Sequence, residues 1–107
     1  MSHEIAVQMQ RARREAIRWY LLVSLHVARP AGAPVPLLLS VVQATYEDAT
    51  EHELRRELDY LADRKLIDVE KSPIGQWHCE INRLGTDLVE YTIPCEPGIA
   101  RPKYHAG

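Results

Sequence analysis

The chain is predicted to be a mixed α+β domain of helices and one hairpin, on three observations. Leu54, Leu58 and Leu61 recur at i, i+4 and i+7, the spacing of one buried helical face. Directly after them, Leu66-Ile67-Asp68-Val69-Glu70 changes to a strand rhythm, Ser72-Pro73-Ile74-Gly75 supplies a turn, and Gln76 to Ile81 returns as the partner strand. Two apolar helical stretches precede this unit, and 107 residues suffice for one modest core and are too few for two.

Helix 1 is expected from Ser2 to Val27, with Ser2 as its cap and Glu4 suited to the positive end of the helix dipole. Its first half is amphipathic, with Ile5, Met9, Ala12 and Ala16 expected inward and Arg11, Arg14 and Arg18 outward. The second half, WYLLVSLHV, is apolar nearly all round and should be the most buried helix. At 1.5 Å per residue such a helix is roughly 37 Å long. That exceeds what the domain needs, so its first two turns are expected to project, either toward a second copy or into solvent. Pro30, Gly32, Pro34 and Pro36 end helix 1 and stiffen the connection. Helix 2 is expected over Pro36 to Thr45, with Leu37, Leu38, Val41 and Val42 inward. Tyr46 to Ala49 forms a turn, and Thr50 caps helix 3, which should run to about Arg64. Asn82 caps helix 4, expected over Arg83 to about Tyr91 with Leu84, Leu88 and Val89 buried. Residues 1–91 are thus expected to form the domain. Residues 92–107, with three Pro and two Gly and no periodicity, are read as an extended tail, draped on the surface or docked elsewhere.

The pattern L-x-x-x-L-x-x-L-x-x-x-x-L-I from Leu54 to Ile67, followed by I-N-R-L-G-T-D-L-V-E from Ile81 to Glu90, resembles the recognition helix, wing and following segment of bacterial winged helix-turn-helix proteins. The resemblance spans about residues 16–91 and implies the order α1-α2-α3-β-hairpin-α4. A narrower resemblance lies in ELDYLADRKLI, LGTDLVEYT and PGIARPKY, which look like small winged-helix proteins encoded among the late genes of Mu-like bacteriophages and prophages. One departure stands out. Winged-helix proteins usually place Gly just before the Leu-Ile of the first wing strand, where the helix ends in a left-handed conformation, and this chain has Lys65.

The resemblance implies a DNA-binding protein of transcriptional-regulator type; the projecting end of helix 1 points to a homodimer through that helix, and the lack of a secretion signal to the cytoplasm. With the three leucines inward, helix 3 turns His52, Arg56, Asp59, Tyr60 and Asp63 outward, with Arg55 on the flank. His52, Arg55 and Arg56 are then the candidates for base edges, and Arg64, Lys65, Lys71 and Gln76 for the phosphate backbone. Charge argues the other way. Net charge is −2; residues 1–29 carry five Arg and two Glu, whereas residues 45–71 carry nine acids and five bases. Carboxylates at Glu51, Glu53, Glu57, Asp59 and Asp63 oppose phosphate attraction. Helix 3 can therefore face DNA, a protein, or solvent with i,i+4 pairs such as Glu51–Arg55. The alternative function is a protein-interaction adaptor in phage assembly or DNA packaging, contacting its partner through helix 3 and the tail.

Other chemistry is not indicated. No catalytic motif, Walker loop or H-E-x-x-H is present, so no enzyme activity and no cofactor are expected. His78 and Cys79 are adjacent strand residues pointing to opposite faces, and Cys95, His105 and His26 have no ligand spacing, so no metal site is expected. Charges at Glu4 and Arg11 argue against a signal peptide, no run is long enough to span a membrane, and the two cysteines are expected to be free thiols.

Overall fold

The structure, a computed structural model, describes residues 2–103. Helix α1 spans Ser2–Val27, strand β1 Ala33–Pro34, helix α2 Val35–Gln43, helix α3 Glu51–Asp63, strands β2 and β3 Ile67–Lys71 and Trp77–Ile81, and helix α4 Arg83–Val89. The strands form one antiparallel sheet in the order β1-β3-β2, with Ala33 and Val69 both paired to Cys79. The third strand was not expected. Its two residues sit in a proline-rich connection that reads as loop, and Pro34 can join a sheet only at its edge, where its missing N–H costs no ladder bond.

The core is built where α1 crosses the other elements. Ile17, Leu21, Leu22 and Leu25 of α1 meet Val35, Leu38 and Val42 of α2 and Leu54, Leu58 and Leu61 of α3, all essentially inaccessible. Cys79 and Leu66-Ile67 close the sheet side, and Leu88 and Ile99 close the far end. The N-caps expected at Thr50 and Asn82 form as read, whereas Ser2 already lies within α1. The Thr50 hydroxyl accepts the Glu53 N–H at 3.1 Å, and the Asn82 side chain accepts the Gly85 N–H at 3.0 Å. Gly85 lies so close to the Leu66 carbonyl that a Cβ has no room, which explains the Leu-Gly step one residue into α4.

Several inward assignments are corrected. Ile5, Met9 and Ala12 are exposed, because α1 runs past the domain and its core contacts come from the opposite face, starting at Ile17. Arg18 shares that inner face, being four and seven residues from Leu22 and Leu25, and is largely buried instead of outward. Helix α2 begins at Val35 and ends at Gln43, and only one side of this short helix meets the core, so Leu37 and Val41 face solvent. Helix α4 stops at Val89, and Leu84, in its first turn, is 42 % exposed. Tyr60 is half-buried, covered by the chain at Gly98 and by Arg18.

The tail is draped on the domain. Ala100 donates to the Glu15 carbonyl at 3.1 Å, Tyr91 to the Pro102 carbonyl at 2.6 Å, and Ile99 enters the core. Arg101 turns back to donate to the carbonyls of Leu88 (3.0 Å) and Ile93 (2.8 Å), satisfying an acceptor at the C-terminal end of α4.

Lys65 bears the conformation that glycine normally takes: its φ is +65°, and the Asn82 amide donates to its carbonyl at 2.8 Å. A side chain at positive φ costs on the order of 1 kcal/mol. Lys65→Gly is therefore expected to raise unfolding free energy by up to ~1 kcal/mol, read as a shift of the urea midpoint at unchanged slope. A lowered midpoint would show that Asn82 already offsets the strain.

Candidate nucleic-acid interface

Five carboxylates on α3 looked like the main obstacle to a DNA-facing role, and most of them are engaged within the chain. Glu57 points inward at 3 % exposure and accepts from Arg18 Nε at 2.7 Å. Arg18 also stacks over the Tyr60 ring, 3.5 Å from its centroid, and donates to the Gly98 carbonyl at 2.8 Å. Glu53 takes Arg13 in a two-pronged pair at 2.8 and 2.9 Å, and Arg13 reaches Asp48 at 2.9 Å as well. These carboxylates, the Glu53 hydrogen bond foremost, raise the pKa of Arg13 despite partial desolvation. The positive first half of α1 thus neutralises the inner flank of α3 in the same molecule. Arg13 was not singled out from the sequence; only its place between Arg11 and Arg14 marked it.

What remains on the outer stripe of α3 is His52, Arg56, Asp59 and Asp63, all exposed, at the spacing expected. Arg56 has no ionic partner among the described residues. It shares a shallow hollow of about 370 Å³ with Arg14, the cation of α1 that likewise has no ionic partner. Asp59 is held by Lys71 at 3.5 Å, across from the wing.

On the other flank, α3 and the hairpin enclose a cleft of about 700 Å³ whose lining includes Glu51, Arg55, Lys71, Gln76, Trp77 and His78. Trp77 is its floor. The Arg55 guanidinium lies 4.8 Å and the Lys71 ammonium 4.2 Å from the Trp77 ring, both within cation–π range. Arg55 also donates to the Gly75 carbonyl at 2.7 Å and meets Glu51 at 3.4 Å, while its Nε is buried without a partner. Arg55 therefore ties the tip of the hairpin to the first turn of α3. The tip itself is ordered by Ser72, whose N–H and hydroxyl bracket Gln76 at 2.8 and 3.0 Å, with Gly75 at positive φ.

No protein-family description matches the chain, and no curated protein matches it. Among solved structures, the crystal structure of a protein from Ralstonia eutropha JMP134 proposed to bind DNA superimposes with a TM-score of 0.61, at 22% identity, over 73% of this chain and 95% of that one. The chain has a winged-helix fold. In the winged helix, the hairpin β2–β3 is the wing, β1 pairs on its inner strand, and α3 occupies the recognition position.

The winged helix brings Arg55, Lys71 and Gln76 together in the wing cleft, with His52 exposed on the outer stripe of α3 and Arg56 in the hollow beside Arg14 on its other flank. It sets Arg64 and Lys65 apart. Arg64 is occupied by Tyr60 at 3.0 Å and the Pro97 carbonyl at 3.3 Å, and Lys65 lies exposed at the far end of α3. The outer face of the wing carries Asp68 opposite Glu80 and Glu70 opposite His78, so it is acidic. His78 is exposed, bonded to the Ala31 carbonyl at 2.8 Å, and Cys79 is buried on the other face, as their alternation required. Burial, with Asp59 nearby, pushes the Cys79 thiol up to about 11, so it is not a nucleophile at neutral pH. Both cysteines are free, and no helix of the described residues is long and apolar enough to cross a membrane.

Proposed function

We propose that the protein is a small winged-helix DNA-binding protein of phage or prophage type, a transcriptional regulator working as a homodimer in the cytoplasm. His52, Arg55 and Arg56 approach base edges at the start of α3; Lys71 and Gln76, with Lys65 farther along, meet phosphates. The observation that carries this reading is the internal pairing of Glu53 with Arg13 and of Glu57 with Arg18. It neutralises two carboxylates that line the same hollow and leaves Arg56 and Arg14 there without ionic partners among the described residues. The name of the Ralstonia protein supports the same class, and the phage setting rests on the ELDYLADRKLI, LGTDLVEYT and PGIARPKY segments.

A second reading keeps a specific observation of its own. The acidic outer face of the wing, with Asp68 against Glu80, repels phosphate and suits a basic protein surface. That is the adaptor in assembly or packaging. Its proposed use of the tail has less room, since Pro97 to Arg101 is committed to α1, α3 and α4.

Fluorescence anisotropy with mixed-sequence duplex DNA separates the two. Binding at low salt is expected, with log affinity falling linearly against log salt at about −0.9 per phosphate neutralised. Absence of binding at low salt would discard the DNA reading and leave the adaptor.

A further inference from the structure

Helix α1 has two apolar faces, and its own domain uses one. Opposite the core residues, Ile5, Met9, Ala12, Ala16 and Val23 follow the four- and three-residue spacing of a helix–helix seam, interrupted by Trp19, which packs half-buried against the core. Ile5 is 56 % and Met9 68 % exposed, and Ala12 is exposed too. At the C-terminal end, the same face runs into an apolar groove of about 410 Å³ between α1 and α2. Its walls are Val23, Val27, Leu37 and Val41, with Val27 78 % exposed. The helix thus carries a projecting apolar ridge at one end and an unfilled apolar groove at the other.

We infer that α1 pairs with α1 of a second copy in antiparallel fashion, about a two-fold axis near Ala16. This dimer gives the general homodimer of the proposed function a defined interface, but its argument and its test are independent of DNA. Antiparallel pairing about residue 16 sets Ile5 of one copy against Val27 of the other and Met9 against Val23. Each projecting end then fills its partner's groove, and one two-fold operation satisfies both mismatched features. Ala16, a small side chain of the seam, falls at the axis, where the helices approach most closely. Charge agrees with this direction. Glu4 comes beside the partner's basic end, where His26 is already taken by Glu90 at 3.0 Å and Arg29, its Nε on the His26 carbonyl at 2.8 Å, reaches a carboxylate only at 3.8 Å. Parallel pairing sets like ends together and leaves both grooves empty.

Sedimentation velocity of the full chain across the micromolar range is expected to show a dimer. Met9→Glu, at an exposed site that leaves the core intact, should raise the dissociation constant by roughly 30-fold or more, the effect of replacing an apolar anchor by a buried charge. Ile74→Glu, an equally exposed apolar site at the wing tip, should leave it unchanged. Direction is read by oxidation in a Cys95→Ser background. A mixture of Met9→Cys and Val23→Cys chains should form the mixed disulfide, and Met9→Cys alone should not cross-link. A monomer throughout, an equal effect of Ile74→Glu, or cross-linking of Met9→Cys to itself would each overturn the inference.

Discussion

Arg18→Ala is expected to destabilise the domain by ~3–5 kcal/mol, because it leaves the Glu57 carboxylate buried without its cation. Side-chain exposures of 13 % and 4 % for the pair put it in the buried class, where screening is weak. The loss is compounded by the hydrogen bond to the Gly98 carbonyl and the stack on Tyr60, which together hold the tail against α3. At roughly 4–8 °C per kcal/mol for a domain of this size, the melting temperature should fall by more than ~12 °C. Replacing both partners by apolar side chains, Arg18→Met with Glu57→Leu, should recover most of the loss, since the desolvated charges are then gone together. Arg13→Ala serves as the contrast. Its pair with Glu53 is about a quarter exposed on each side and its second partner Asp48 is 79 % exposed, so ~1 kcal/mol or less is expected. Urea titrations followed by Trp fluorescence measure all three, and an Arg18→Ala cost as small as that of Arg13→Ala would show that solvent reaches the Glu57 site.

The arginine pairs also show where sequence reasoning ended. The caps at Thr50 and Asn82, the limits of α1 and the strand–turn–strand of the wing were legible because each depends on neighbours a few residues apart. The orientation of α1 was not. A helix with two apolar faces has two equivalent solutions on a helical wheel, and the choice of Ile5-Met9-Ala12-Ala16 as the inner face turned Arg18 outward with it. What decides is the length of the partner elements: α2 and α3 are too short to cover the first turns of α1, so burial begins at Ile17. Once that face is fixed, Arg13 and Arg18 of α1 meet Glu53 and Glu57 of α3. The acidic helix α3 is then a structural interface on one side and a mixed surface on the other. Strand β1 was missed for a different reason. Its two residues gain their identity entirely from β3, and nothing local distinguishes Ala33-Pro34 from a stiff loop.

On the DNA side, Arg55→Ala combined with Arg56→Ala should lower duplex affinity by roughly 10²-fold or more, and the two changes should act differently. Arg56 is free on the outer stripe of α3, so its loss removes a direct contact, roughly 5- to 150-fold for a bidentate base contact. It should do so without changing stability. Arg55 is committed to the Gly75 carbonyl, Glu51 and the Trp77 face, so its loss should also loosen the wing tip. A wing residue such as Lys71 gives the complementary signature. Lys71→Ala should weaken binding to all sequences alike and reduce the salt slope by about 0.9, as one phosphate contact is lost. Arg64→Ala tests the geometry from the other direction. Its guanidinium is taken by Tyr60 and the Pro97 carbonyl, so it should change stability and leave DNA affinity unaltered. If the Arg55/Arg56 pair leaves affinity unchanged while Arg64→Ala abolishes it, DNA lies along the tail side of α3, and the wing cleft is not the interface. If none of the four matters to an affinity that is nonetheless measurable, the wing cleft does not carry it, and Arg14, without an ionic partner among the described residues, is the next cation to replace.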